Sequence, residues 1–510
     1  MSNRRHGSRR FQPGILPRWN GRGRKGLGYV ANEHSSRVCV GSLADASDPV
    51  GQRLKKGTKK TVWQEMGKYI KSIPDLVNLG QGYPDWDPPK FVQESASEAI
   101  ALGHNQYTRT EGHADLVRTL ASRYSAHLNR TVDPMTEIAV TVGCSQALFL
   151  TLTALIQPGD EVLLIEPFFD LYLGQVKLAG GKPVSVPLDL RDGNWEFDIK
   201  KLEAAISPRT RAIILNTPHN PTGKVFTLEE MEQLAGVVRR NPQISVISDE
   251  VYKYVIDADE EELQMSTVIS GDISSKPAPP PRHIHFAALD GMWDRTVTCS
   301  SAGKTFSITG WQVGWLVAPK EFVSRVHALL PYVQFCVASP MQHALSTVLD
   351  VADRPFEGYN SYYGWLRAMY ARKRQLLLKG LSEAGLVPTS GEGGFFVMAD
   401  ASRLLPMVPD SYLSEAKEND RANDFALCKW LAESHGILCI PGSPFFSDQE
   451  QEETRCLVRL AFCKRDEILE KAVTRFKILG QDLKAFEESL ESKEVSAVGA
   501  SSPSFAPHQL

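Results

Sequence analysis

The chain predicts an α/β fold built on a mostly parallel sheet with helices on both faces. Three observations carry this. Seven apolar, β-branched runs of strand length recur along the middle of the chain. Helix-patterned segments separate several of them, which is how parallel strands are joined. The 510 residues, 42% hydrophobic and 23% charged, leave room for two or three packed units around a large core. In order, strands are expected at 138–142, 161–165, 183–186, 211–216, 244–248, 296–299 and 313–317. Helices are expected at 145–156, 171–179, 198–205 and 227–240, each opened or closed by Ser, Asp, Thr, Gly or Pro. The run at 313–317 follows its predecessor after a short loop, so it reads as the one antiparallel strand.

Composition narrows the function classes. The longest nearly apolar stretch, 147–156, is too short to span a bilayer, and threonines interrupt it. The eight cysteines are sparse and never form Cys-x-x-Cys, which indicates neither a disulfide framework nor a Cys-rich zinc site and fits a reducing compartment. The first 32 residues hold eight Lys or Arg and no acid. They suit an organelle transit segment or a disordered basic leader, so a cytoplasmic or mitochondrial location is expected. The mildly acidic remainder has no basic stripe, which argues against nucleic acid as a partner. An acidic cluster running into a Pro-rich stretch, 257–282, reads as a surface insertion, and a Ser/Ala/Pro-rich tail from 485 reads as disordered.

Ligands of open α/β sheets sit at the carboxyl ends of strands. The residues there are Gly143-Cys-Ser-Gln146, Glu166-Pro-Phe-Phe-Asp170, Asn216-Thr-Pro-His-Asn-Pro-Thr-Gly223, Ser248-Asp-Glu-Val-Tyr252 and Ser300-Ser-Ala-Gly-Lys304. Singly, each admits a plain structural role. Asp249 could cap a helix, Pro221-Thr-Gly223 could be a turn, Phe168 and Phe169 core aromatics, and Lys304 a solvated loop cation. Five such groups at successive strand ends point instead to one polar site.

These segments, with Asn78-Leu-Gly-Gln-Gly-Tyr-Pro-Asp85, Asn105-Gln-Tyr-Thr108 and Thr309-Gly-Trp-Gln-Val-Gly314, resemble class I aminotransferases of the pyridoxal-phosphate fold type I group. The likeness is strongest to the kynurenine aminotransferase, glutamine transaminase K and cysteine-conjugate β-lyase branch, and runs from about 61 to 477 without the acidic insertion. It implies a three-layer α/β/α large domain with a seven-stranded sheet at 91–345, a smaller domain at 346–484 and an N-terminal arm at 61–90, after a leader at 1–60.

The resemblance also assigns roles. Lys304 would form the internal Schiff base with pyridoxal 5′-phosphate and then carry the proton from the substrate Cα as general base and acid, which Arg could not do. Asp249 would pair with the pyridine nitrogen, and Asn220 and Tyr252 would hydrogen-bond the phenolic oxygen. Phe169 would stack on the ring. Cys144 and Ser145, at a helix N-terminus, and the Ser301 hydroxyl would hold the phosphate. Where the family carries Lys or Arg after Gly-Trp, this chain has Gln312. Losing a charge-assisted hydrogen bond there would cost about 1.5–3 kcal/mol. Arg459 would bind the substrate carboxylate as a bidentate fork, helped by Asn216 and the Gly82 backbone. Trp63, Tyr107 and Phe335 would form an aromatic wall, with Tyr107 and Phe335 donated by a second subunit, so a homodimer is implied. No metal belongs to this set. The implied function is transamination of kynurenine, glutamine, aromatic or sulfur amino acids to 2-oxo acids. Elimination from donors with a leaving group on Cβ is the implied side activity. The competing reading is a sensor or interaction protein that kept the fold without catalysis.

Overall fold

The structure, a computed structural model, describes residues 61–257, 283–447 and 456–500, with side chains through 492. The basic leader, the insertion beyond Asp257 and the last ten residues lie outside the described residues.

The chain enters through α1 (Val62–Ser72), whose start is fixed by a capping box: the Thr61 side chain accepts from the Gln64 amide, and the Gln64 side chain accepts from the Thr61 amide. Helices α2 (Lys90–Ala101) and α3 (Ala114–His127) follow. The seven expected strands then appear as β1 (Ile138–Val142), β2 (Glu161–Glu166), β3 (Lys182–Pro187), β4 (Thr210–Asn216), β5 (Ser245–Asp249), β6 (Thr296–Ser301) and β7 (Val313–Val317). They form one sheet in the order β1-β7-β6-β5-β4-β2-β3. All neighbours are parallel except β7, which is antiparallel to both β1 and β6. Only the loop after Ser301 connects β6 to β7, too short a path for a helical crossover, so the chain turns back.

Strand alternation feeds a separate core on each face. Val162, Leu164, Ala212 and Ile214 point one way, into the cluster completed by α4 (Gly143–Leu155), α5 (Leu171–Leu178) and α8 (Lys320–Val333). Leu163, Ile165, Ile213 and Leu215 point the other way, onto α6 (Ile199–Ala205) and α7 (Leu228–Arg240). Strands buried on both faces explain the continuous apolar runs in the sequence.

The expected boundary at 345/346 is not a boundary in the backbone. Helix α9 (Ser339–Ala352) runs straight through it, with Ala344, Leu345, Ser346, Val348 and Leu349 all buried against α2 and α3. A smaller sheet follows α10 (Tyr362–Glu383), from β8 (Val387–Pro388), β9 (Phe396–Asp400), β10 (Ile440–Pro441) and β11 (Leu457–Ala461), in the order β8-β9-β11-β10. Helices α11 (Asp410–Glu418) and α12 (Asn423–His435) precede β10. The tail expected to be disordered from 485 begins instead as helix, because α13 (Asp466–Ala500) continues through that point. Its apolar positions Leu469, Ala472, Phe476, Leu479 and Leu483, at helical spacing, anchor it to the core.

Candidate active site

The carboxyl ends of β1, β2, β4, β5 and β6 open into a cavity of about 390 Å³, closed on its other side by Trp63 of α1, Phe396 of β9 and Arg459 of β11. Gly82, Cys144, Ser145, Phe169, Asn216, Asn220, Asp249, Tyr252, Ser301, Lys304, Gln312, Trp63 and Arg459 all line it. Tyr107 and Phe335 do not. They pack edge-on against each other at 4.8 Å and are 80% and 52% exposed.

Asp249, the last residue of β5, is buried at one end. Burial pushes its carboxyl up, and three donors oppose that shift: the Tyr172 hydroxyl at 2.7 Å, the Val251 amide at 3.2 Å and the Cys144 thiol at 3.6 Å. Lys304 follows β6, and its Nζ donates to the Gly82 carbonyl at 2.8 Å. Burial lowers its pKa to about 8, so a neutral amine is within reach near physiological pH.

Arg459 is 1% exposed, with its guanidinium 4.0 Å from the centroid of Phe396, 4.9 Å from Phe445 and 5.0 Å from Trp63. Burial brings its pKa down to about 10, which leaves it cationic at neutral pH. Nη1 donates to Asn220 Oδ1 and Nη2 to the Gly80 carbonyl, each at 3.0 Å. Nε is buried and has no acceptor. A buried guanidinium with an open donor and no carboxylate bonded to it is suited to an anionic ligand group.

A chain of amides joins the two ends. Asn216 Nδ2 donates to the Asp249 carbonyl at 3.0 Å, Asn216 Oδ1 accepts from the Asn220 amide at 2.7 Å, and Asn220 Oδ1 accepts from Arg459. Asn216 therefore holds β4 against β5 and positions Asn220. Its carboxamide already makes two protein contacts, a structural task the resemblance does not include.

A third group of features surrounds the start of α4. No side chain caps this helix, and the Gly143 amide donates to the Gln312 carbonyl at 2.8 Å. Gly314 lets β7 pass so close that a Cβ there would lie 2.3 Å from the Gly143 carbonyl carbon. Gln312 has φ +52°, and its Nε2 donates to the Thr309 carbonyl at 2.6 Å.

A family model for aminotransferases of class I and II matches residues 74–476. The chain belongs to that family. It is 39% identical over 428 residues to the kynurenine–oxoglutarate transaminase of Dictyostelium discoideum, covering 81% of this chain and 92% of that one. To kynurenine–oxoglutarate transaminase 3 of Homo sapiens it is 35% identical over 426 residues, covering 82% and 87%. The structure of N-succinyldiaminopimelate aminotransferase from Mycobacterium tuberculosis matches with a TM-score of 0.70 and 36% identity, covering 84% and 99%.

This aminotransferase is pyridoxal-phosphate-dependent and moves an amino group from an amino acid to a 2-oxo acid. Its cavity fits the cofactor on three observations. A buried carboxyl whose pKa burial raises, Asp249, is suited to a cationic ring nitrogen that would hold it ionised. An uncapped helix start beside Ser301 suits a phosphate. A lysine amine close to neutrality suits the aldehyde. Bound there, the cofactor supplies an electron sink for charge developing at the donor Cα. On the protein's side, the open donor of Arg459 suits a donor carboxylate, and Lys304 Nζ, with its lowered pKa, suits proton transfer at the donor Cα.

Four contributors have no role assigned from the sequence. Tyr172 braces Asp249, Asp170 accepts from Trp63 Nε1 at 2.9 Å, and Phe396 with Phe445 flanks Arg459. Tyr172 had a signal: it follows Phe169 by three residues and sits in the first turn of α5, whose start the sequence marks. Phe396 and Phe445 had none, because they come from distant elements.

Proposed function

We propose that the aminotransferase prefers donors with uncharged, largely apolar side chains, among them kynurenine, glutamine, phenylalanine and methionine. One observation carries this. Among the described residues, the cations lining the cavity are Lys304 and Arg459, each with a task, and the rest of the lining is rich in Trp63, Phe169, Leu148 and Phe396. A second carboxylate on the donor would enter without a partner, at a cost of several kcal/mol. This reading also bears on the relatives. A succinylated donor, as named for the mycobacterial enzyme, would need a further cation.

A homodimer completes the site. Tyr107 and Phe335 form an exposed aromatic pair, and the exposed Tyr332 and Val333 lie just before Phe335 in the chain, which suits burial against a second copy. Donors with a leaving group on Cβ would also undergo elimination, because loss of the Cα proton is common to both outcomes. The basic first 32 residues suit a mitochondrial as well as a cytoplasmic enzyme; fluorescent fusions with and without residues 1–60 distinguish the two.

The decisive experiment is a donor panel of kynurenine, glutamine, methionine, phenylalanine and aspartate against several 2-oxo acids. The neutral donors should exceed aspartate at least tenfold in kcat/KM. Equal or better use of aspartate refutes the proposal. Pyruvate and ammonia release from a cysteine conjugate measures the elimination share.

A further inference from the structure

Outside the catalytic cavity, three histidines from three different elements converge. His104 lies just beyond α2, His113 is the N-cap of α3, and His343 sits on α9. One ring nitrogen from each falls within 4.8 Å of the others, and each ring is only partly buried. His104 and His343 stack at 3.6 Å between centroids, while His113 meets each of them edge-on at 5.4 Å. The Asp115 carboxylate lies 3.3 Å from His343 Nδ1 and 3.6 Å from His113 Nδ1. The Asp115 amide donates to His113 Nδ1 at 3.3 Å, so the carboxylate stands behind the His343 imidazole alone, the arrangement that orients a histidine ligand of a metal.

We propose that His104, His113 and His343 form a binding site for a first-row divalent transition-metal ion, with Zn2+ as the favoured occupant. Three imidazoles suit zinc, nickel, copper or cobalt and are wrong for magnesium or calcium, which take oxygen ligands. The half-exposed position allows water to fill a fourth place. Coordination turns one ring of the stacked pair so that both planes meet at the ion, and draws the three nitrogens together from their present separation.

The placement gives such an ion a consequence. The segment between His104 and His113 carries Tyr107, and it is tied to α9 by the Ser339 hydroxyl donating to the Gln106 carbonyl at 2.6 Å and by the His113 amide donating to Gln342 Oε1 at 2.8 Å. An ion held by His104, His113 and His343 would clamp that segment at both ends. The other histidine cluster, Glu250 with His283 and His285, lacks this freedom. It is fully buried, Glu250 Oε2 already accepts from His285 Nδ1 at 2.6 Å, and burial depresses the basicity of His283.

The test uses tag-free holoenzyme dialysed against a chelator, then titrated with Zn2+ by calorimetry and with Co2+ by visible absorption. About one equivalent per chain should bind, with ligand-field bands for Co2+. Binding should be lost in His343→Ala and in His104→Phe, and weakened roughly ten- to hundredfold in Asp115→Asn. The ligand variants should keep their cofactor absorbance and activity in chelator. Failure to bind a stoichiometric ion overturns the proposal, as does binding that survives in His343→Ala and His104→Phe but disappears in His283→Ala.

Discussion

Lys304 shows how burial sets chemistry at a single residue. Its ammonium loses hydration in the cavity, and the pKa falls from 10.5 to about 8. Capture of pyridoxal phosphate by apoenzyme needs the neutral amine, so the capture rate should rise with pH to a plateau, with its midpoint near 8. Stopped-flow absorbance checks this, and borohydride reduction followed by peptide mapping should place the pyridoxyl label on Lys304. The same shift affects apoenzyme stability. Between about pH 8 and 10.5 the unfolded chain holds the extra proton and the folded one does not, so stability should rise with pH across that window. Gln312 is the second informative residue. It lines the cavity beside the uncapped start of α4, at the position where the resemblance implies a cation. Gln312→Lys should tighten pyridoxal phosphate roughly ten- to a hundredfold in a cofactor titration, the equivalent of one charge-assisted hydrogen bond.

At the scale of elements, α1 closes the cavity, fastened there by a hydrogen bond from Trp63 and an ion pair from Glu65. The Trp63 indole reaches the Arg459 guanidinium from one side and donates to Asp170, at the start of α5, from the other. The Arg421–Glu65 ion pair fixes the same helix to the segment before α12. Asp170→Ala should therefore loosen the arm, raising KM for aromatic donors about tenfold while kcat for alanine changes little, in line with loss of one buried hydrogen bond. Asp170→Asn, which retains an acceptor, should restore most of the affinity. Steady-state kinetics on all three proteins separates this positioning role from a general loss of fold.

The whole molecule decides whether the site is complete. Tyr107 and Phe335 lie outside the cavity of their own chain, so in a homodimer they would serve the neighbouring site. Mixing Lys304→Ala and Tyr107→Ala subunits tests this. If Tyr107 acts across the interface, each hybrid regains one intact site and activity should recover to about a quarter of wild type for random pairing. If it acts within its own chain, the mixture stays as poor as its parents.

Sequence alone determined the sheet and marked candidate residues at its edge. Apolar, β-branched runs of strand length marked all seven, even the edge strand Lys182–Pro187 that is only half-buried, and strand ends followed by polar residues marked Asp249, Asn216 and Lys304 as candidates. The tertiary structure decided what depends on distance in the chain. It placed Phe396 and Phe445 on either side of Arg459, joined Asp170 to Trp63 across 107 residues, and brought His104, His113 and His343 together. Local pattern records periodicity and caps, because those act within a few residues. Contacts between remote elements arise only when the packed layers bring them within a few ångströms, and no neighbouring residue in the chain records them.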